Sequence, residues 1–185
     1  MTGFGRTGSL FAYQKAGTNP DLICFSKGLT GGFLPMALTL SNSSVFQTFY
    51  ANDATKTLWH GHSYTGNPLG CAAAVASLSL TKSSLPKLAQ IQNWHQKGIK
   101  SIAEISSVKR PRICGTVAAI DIQTEGADGY LNSIGQTLRK EFLKEGMLVR
   151  PLGNVLYFMP PYCITEAELG SVYKVALEVL EAIKS

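Results

Sequence analysis

Asp21-Leu-Ile-Cys-Phe-Ser-Lys-Gly-Leu-Thr-Gly-Gly32 is the stretch on which the reading of this chain turns. Leu22–Phe25 is short and wholly apolar, with β-branched Ile23 and aromatic Phe25. Such a run predicts a buried strand of the parallel-sheet kind. Ser26, Lys27 and Gly28 follow at once, then Thr30, Gly31 and Gly32. An amine is therefore expected where a strand ends and the chain turns on glycines, the place where open α/β sheets hold ligands. A lysine withdrawn from water there becomes a nucleophile toward carbonyls. The plainer alternative is a lysine whose stem lies along the strand end while its ammonium reaches water.

The chain has 185 residues, 45% hydrophobic and 16% charged, with a formal net charge of +5. That length allows one domain or two small ones with a proper core. No run of about 18 apolar residues marks a membrane span. The opening Met1–Arg6 lacks a basic segment followed by an apolar one, so no secretory signal is read there. The densest basic cluster, Lys109-Arg110-Pro111-Arg112, has no interleaved aromatics. It is expected to be a solvated loop, with no nucleic-acid or membrane partner. Cys24, Cys71, Cys114 and Cys163 lie more than 40 residues apart with no metal-ligand spacing. They read as reduced core thiols of a cytoplasmic protein.

Thr2-Gly-Phe-Gly-Arg-Thr-Gly8 is a glycine-punctuated loop with no element before it, so an upstream segment is expected to be missing. It is not a dinucleotide fingerprint, because no strand precedes it. Leu10–Tyr13 opens a helix or an irregular segment, and Thr18–Asp21 is a turn. Phe33–Leu40 predicts a second strand and Val45–Tyr50 a short helix. In Trp59-His-Gly-His-Ser-Tyr-Thr-Gly-Asn-Pro-Leu69, hydroxyls, glycines and two histidines precede a helix that Asn67 caps and Pro68 enters. That combination suits an anion. His60 and His62 have no third ligand nearby in sequence, so no metal is expected.

Ser84 and Pro86 read as a new helix start, followed by Leu88, Ile91, His95, Ile102 and Ile105 at helical spacing, with Gly98 weakening the centre. Val117–Ile122 is a strand. Asp128 is expected to cap a helix with Leu131, Ile134, Leu138 and Phe142 inward, and Gly146 to end it. Met147–Arg150, the turn Pro151–Asn154 and Val155–Met159 predict a hairpin. Thr165 and Glu168 form a capping box before a helix with Leu169, Val172, Ala176, Val179 and Ile183 on one stripe. Residues 1–83 thus read as part of an α/β layer, and 84–185 as a small α+β unit. Arg150, before a proline turn, suits either a carboxylate ligand or a surface ion pair.

Three stretches in series, Thr2–Gly8, Phe25–Gly32 and His60–Leu69, resemble the class III aminotransferases. Those are pyridoxal 5'-phosphate enzymes of fold type I. The resemblance extends over essentially the whole chain and implies the C-terminal part of such an enzyme. Residues 1–83 would belong to the large cofactor-binding domain and 84–185 to the small C-terminal domain. The tail Val149–Tyr162 is similar to the branch that serves biotin synthesis. That branch converts 8-amino-7-oxononanoate to 7,8-diaminononanoate and usually draws its amino group from S-adenosylmethionine.

The resemblance implies residue roles. Lys27 holds the cofactor as a Schiff base and shuttles the proton at substrate Cα. His62 and Ser63 reach the cofactor phosphate, across a homodimer interface. Gly61 touches substrate through its backbone, Arg150 takes the substrate carboxylate, and Arg6 and Tyr157 lie near the substrate. Two positions depart from the family: His62 stands where proline or serine is usual, and Ser63 where threonine is usual. In the family an Asp-Glu pair directly precedes the Thr-Gly-Phe-Gly stretch, its aspartate keeping the pyridine nitrogen of the cofactor protonated; that pair is expected in the missing upstream segment. The alternatives are an ornithine- or 4-aminobutyrate-type enzyme of the same family, and a non-catalytic fragment.

Overall fold

The computed structural model describes residues 2–183. They form two compact units, residues 2–5 with 9–85, and residues 6–8 with 86–183.

The first unit contains β1 (Leu22–Phe25) and β2 (Leu38–Ser41), paired antiparallel with Leu22 opposite Ser41 and Phe25 opposite Leu38. This corrects the expected parallel, buried strand. β1 pairs with β2 alone and its Leu22 and Cys24 face is exposed; of its four residues only Phe25 is buried. The expected strand over 33–40 shrinks to β2, and Phe33 is exposed. Phe25 joins Phe4 and Leu29 in a small aromatic-rich core, with Phe11, Ile23, Met36 and Ala74 against it. A short helix α1 (Ala12–Ala16) ends on Gly17 at φ 65°. Helix α2 (Ser43–Phe49) is capped by Asn42, whose Oδ1 accepts from the Val45 amide at 3.0 Å.

Helix α3 (Pro68–Ala103) runs unbroken for 36 residues. Asn67 caps it, with Oδ1 accepting from the Gly70 amide at 2.7 Å. Pro86 therefore lies inside a helix and does not start one. Just before it, Ser83 and Ser84 both donate to the Leu80 carbonyl. Leu88 and Ile91, just beyond, are fully buried and hold the helix through the proline.

The second unit is an antiparallel sheet of β3 (Val108–Cys114), β4 (Val117–Ile122) and β5 (Val155–Phe158) in the order β3-β4-β5. The C-terminal turns of α3, with α4 (Ile134–Lys144) and α5 (Glu166–Ile183), bury one common core with it. Ile102, Ile120, Leu138, Phe142, Leu156, Leu169 and Ala176 are at its centre.

The basic cluster 109–112 is part of β3, not a loop. The edge position tolerates Pro111, and the register shifts between Lys109 and Arg112. Arg110 and Arg112 both pair with the buried Asp121 of β4, Arg112 at 2.8 Å. Asp128 does not cap α4. Its carboxylate accepts from Asn154 Nδ2 at 2.8 Å, and the helix begins six residues later. Leu131, expected inside, is exposed. Gly146, at φ 72°, ends α4 as expected; the Met147 amide bonds back to Phe142 O and that of Gly146 to Leu143 O. Residues 147–150 form no strand, and the hairpin reduces to a bridge between Leu152 and Val155. The capping box of α5 is made by Thr165 and Glu168 in both directions. The Thr165 amide and then its hydroxyl, both donating to the carboxylate, hold the Glu168 carboxyl below its usual pKa.

Asn154 is the joint of this unit. It is buried, donates to Ile122 O and to Asp128, and accepts from the Gly129 amide at 2.9 Å. Asn154→Ala strands those partners and is expected to cost about 2 kcal/mol, read by urea titration. A loss below about 0.5 kcal/mol would mean that water replaces all three bonds.

The cysteines are free, but Cys24, Cys114 and Cys163 are exposed and are not core thiols. Cys24 lies on the open two-stranded ribbon, and Cys114 ends the edge strand β3. Among the described residues, no helix is long and apolar enough to cross a membrane, and no cluster of three metal-ligating side chains occurs.

Candidate active site

The turn after β1 is built tightly although its lysine is open. Ser26 is extended, and Lys27–Thr30 form a 3-10 turn closed by Gly31 at φ 64°. Lys27 itself sits at φ 51°, a left-handed conformation that costs a side-chain-bearing residue about 1 kcal/mol or more. Its neighbours fix that conformation. Gly28 lies so close to Phe4 that a Cβ there would come within 2.7 Å of the ring. The Gly28 carbonyl accepts from Ser77 Oγ at 3.1 Å, and Thr30 Oγ1, buried, donates to Leu34 O. Ser77 comes from α3, where the alanine-rich face lets helix and turn approach. Non-glycine residues held in this conformation concentrate at functional sites.

The expectation that the first unit withdraws this amine from water is not met: Lys27 is exposed. The strand before it has one partner, and the loop from Thr57 to Gly66 is exposed throughout, including Gly61, His62 and Ser63. His62 Nδ1 accepts from the Tyr64 amide at 3.2 Å, which leaves Nε2 and the Ser63 hydroxyl available as donors. Trp59 beside them is 83% exposed.

The second unit holds the other candidates. Arg6 is half-buried; its guanidinium donates to Pro160 O at 2.6 Å and lies 4.7 Å over the Tyr162 ring. Burial pushes the Tyr162 phenol up, and Arg6 partly offsets this. Tyr157 is on β5, half-buried and opposite Ala119. Arg150 is exposed in the irregular segment before Pro151. Sequence reading misses Ser77, Tyr162 and the polar role of His95. The first two make contacts across long sequence separations that no local pattern announces.

His95 is fully buried. Its Nε2 meets the Thr116 carbonyl at 3.1 Å and its Nδ1 the Tyr173 hydroxyl at 2.8 Å. A carbonyl only accepts, so Nε2 carries the proton and Nδ1 accepts from Tyr173. Burial lowers the His95 pKa to about 4, against a smaller opposite effect of the Thr116 bond. In the unfolded chain the group takes its proton near 6.5, so between those values the unfolded state binds more protons. Stability is therefore full above about pH 6.5 and falls as pH drops toward about 4, by about 3 kcal/mol in all. Urea melts at about pH 7 and about pH 4.5 check this, with His95→Gln expected to flatten the slope.

Comparison with known proteins decides the lineage. The family profile described as Aminotransferase class-III matches residues 1–180. The chain belongs to the class III aminotransferases. Over 183 residues it is 48% identical to an adenosylmethionine-8-amino-7-oxononanoate aminotransferase of Synechococcus elongatus, covering 99% of this chain and 43% of that protein. A protein of the same name from Geobacter sulfurreducens is 39% identical, over 90% of this chain and 38% of its own length. The chain thus spans about two fifths of the relatives it matches. Among solved structures, the adenosylmethionine-8-amino-7-oxononanoate aminotransferase of Methanocaldococcus jannaschii superposes with a TM-score of 0.88 at 32% identity, over 98% of this chain and 44% of that one. An omega transaminase of Pseudomonas jessenii in complex with PMP gives 0.86 at 27% identity, over 98% of this chain and 42% of that one. The class III fold is that of the pyridoxal-phosphate transaminases, so the expected fold class stands.

Proposed function

We propose that this class III aminotransferase chain carries the lysine and the substrate-reading residues of a transaminase that converts 8-amino-7-oxononanoate to 7,8-diaminononanoate in biotin synthesis. The observation that carries this reading is the 48% identity over 99% of the chain. Residues 1–83 are read as part of the cofactor-binding large domain and 84–185 as the small domain. Cytoplasmic location and a homodimer belong to the same reading.

The donor set present fits pyridoxal phosphate. Lys27 offers a primary amine for an aldehyde, on a turn held by the Phe4 ring, by Ser77 and by the bond from Thr30 to the Leu34 carbonyl. His62 and Ser63 offer donors for a phosphate. When bound, the cofactor supplies an electron sink beside substrate Cα. Lys27 Nζ would hold it covalently and, once freed by the incoming amine, would carry the proton between substrate Cα and the cofactor carbon. Ser63 Oγ and His62 anchor the phosphate, and the Gly61 backbone lets substrate come close. Arg150 reads the substrate carboxylate as a planar fork. Arg6 and Tyr157 orient the rest of the substrate.

Amino-donor profiling tests the assignment. With 8-amino-7-oxononanoate as acceptor, turnover is expected with S-adenosylmethionine. Turnover confined to ornithine or 4-aminobutyrate would move the chain to another branch of the family.

The exposure of Lys27, His62 and Ser63 favours a second reading for the chain by itself: it needs further polypeptide to enclose the site. Gel filtration of the 185-residue chain with pyridoxal phosphate is expected to strip the cofactor. Stoichiometric retention would contradict that reading.

A further inference from the structure

The second unit contains a chain of contacts that begins at a buried imidazole and ends at Arg6. β3 and β4 are joined by the two-residue turn Gly115-Thr116, with Gly115 at φ 59°. The backbone of residues 6–8 lies directly on this turn. A Cβ on Gly115 would come within 2.2 Å of Gly8 N and Thr7 C. The Arg6 carbonyl accepts from the Thr116 amide at 3.0 Å and from Thr116 Oγ1 at 3.3 Å. Thr116 is fully buried, and its own carbonyl is taken by His95 Nε2. His95 in turn is held from its other nitrogen by Tyr173 of α5, whose ring covers Gly98. The turn's glycine faces the 6–8 backbone, and its threonine directs both of its donors to Arg6. The imidazole therefore supports the turn from beneath.

We propose that His95 is a positioning residue for the substrate site: its Nε2–H bond to Thr116 O fixes the Gly115-Thr116 turn, and the turn fixes the backbone from which Arg6 reaches Pro160 O and the Tyr162 ring. The kinetic consequence rests on the reading of Arg6 as a substrate contact; the structural consequence does not. The imidazole touches no substrate and moves no proton.

The test compares His95→Gln, His95→Asn and Tyr173→Phe by hydrogen exchange in the full chain. Glutamine places a donor near the position of Nε2, while asparagine serves only the Nδ1 side. His95→Asn is expected to speed exchange of the Thr116 amide by about 10-fold or more, with β4–β5 amides unchanged. His95→Gln should stay within about 3-fold of the parent, as should Tyr173→Phe, which keeps the Thr116 bond. Equal protection in the parent and His95→Asn overturns the proposal, as does equal loss in His95→Asn and His95→Gln. If His95→Asn does not fold, His95→Met, which fills the space without a donor, takes its place: faster Thr116 exchange with β4–β5 intact supports the proposal, and protection equal to the parent's overturns it. In the active protein, His95→Asn should raise KM about 10-fold with kcat little changed. An Arg6→Ala protein with unaltered kinetics would refute the substrate role of Arg6 alone, and exchange would still judge His95.

Discussion

Lys27→Ala is expected to lower transamination by at least about 10,000-fold, because one amine performs two duties, as covalent anchor and as proton carrier at Cα. Replacement by arginine should fare no better, since a guanidinium stays protonated and does not condense with an aldehyde. Substrate binding should change little, as Arg150 and Arg6 are untouched. The same position carries a second expectation of opposite sign. Lys27 holds φ 51°, where a Cβ is penalised by about 1–2 kcal/mol, while glycine forfeits about 0.5–1 kcal/mol through a freer unfolded chain. Lys27→Gly should therefore be more stable than Lys27→Ala, by about 0.5–1 kcal/mol. Initial rates and urea titration of both variants check the pair. An active alanine variant would remove Lys27 from the chemistry; a glycine variant less stable than the alanine one would mean that the turn stores no strain.

Gly98→Ala is expected to destabilise the second unit by about 3 kcal/mol. Helix propensity alone argues the reverse, since alanine in a helix interior is favoured over glycine by about 1 kcal/mol. Packing decides here. A Cβ on Gly98 would lie 2.1–2.4 Å from three carbons of the Tyr173 ring. That ring cannot retreat: its hydroxyl is bonded to His95, and Phe158 packs on it at 5.0 Å between centroids. In a Tyr173→Ala background the same substitution should become neutral or stabilising, which makes a double-mutant cycle the measurement. Additive losses would show that the ring is not the obstacle.

Gly98 also shows how far the sequence reaches. Its place in a helix is legible from the spacing of Leu88, Ile91 and Ile102, but its purpose is not, because Tyr173 lies 75 residues further along the chain. The stripe on α5 is legible in Leu169, Ala176 and Val179, all buried; Tyr173 gives no such signal, because its hydroxyl needs a buried partner, which only the fold supplies. The cap of α3 at Asn67 and the end of α4 at Gly146 are legible because both are local hydrogen-bond geometry. Asp128 misleads for the converse reason: it has the chemistry of a cap, but Asn154, 26 residues away, takes its carboxylate. Pro86 misleads because a proline's local penalty is outweighed by the packing that follows it. At the candidate site, the order Lys27, then His62 and Ser63, then Arg150 comes from motif spacing. The strain at Lys27 and the clamp from Ser77 come only from coordinates, and the burial expected of Lys27 does not appear within this chain.

The central claim is that Lys27 is the amine to which the cofactor is joined. Borohydride reduction of the protein isolated from its source, followed by peptide mapping, tests it most directly. One pyridoxyl group is expected, on the peptide that contains Lys27, with trypsin no longer cutting after that residue. A stoichiometric pyridoxyl group on any other lysine, with Lys27 unmodified, would contradict it.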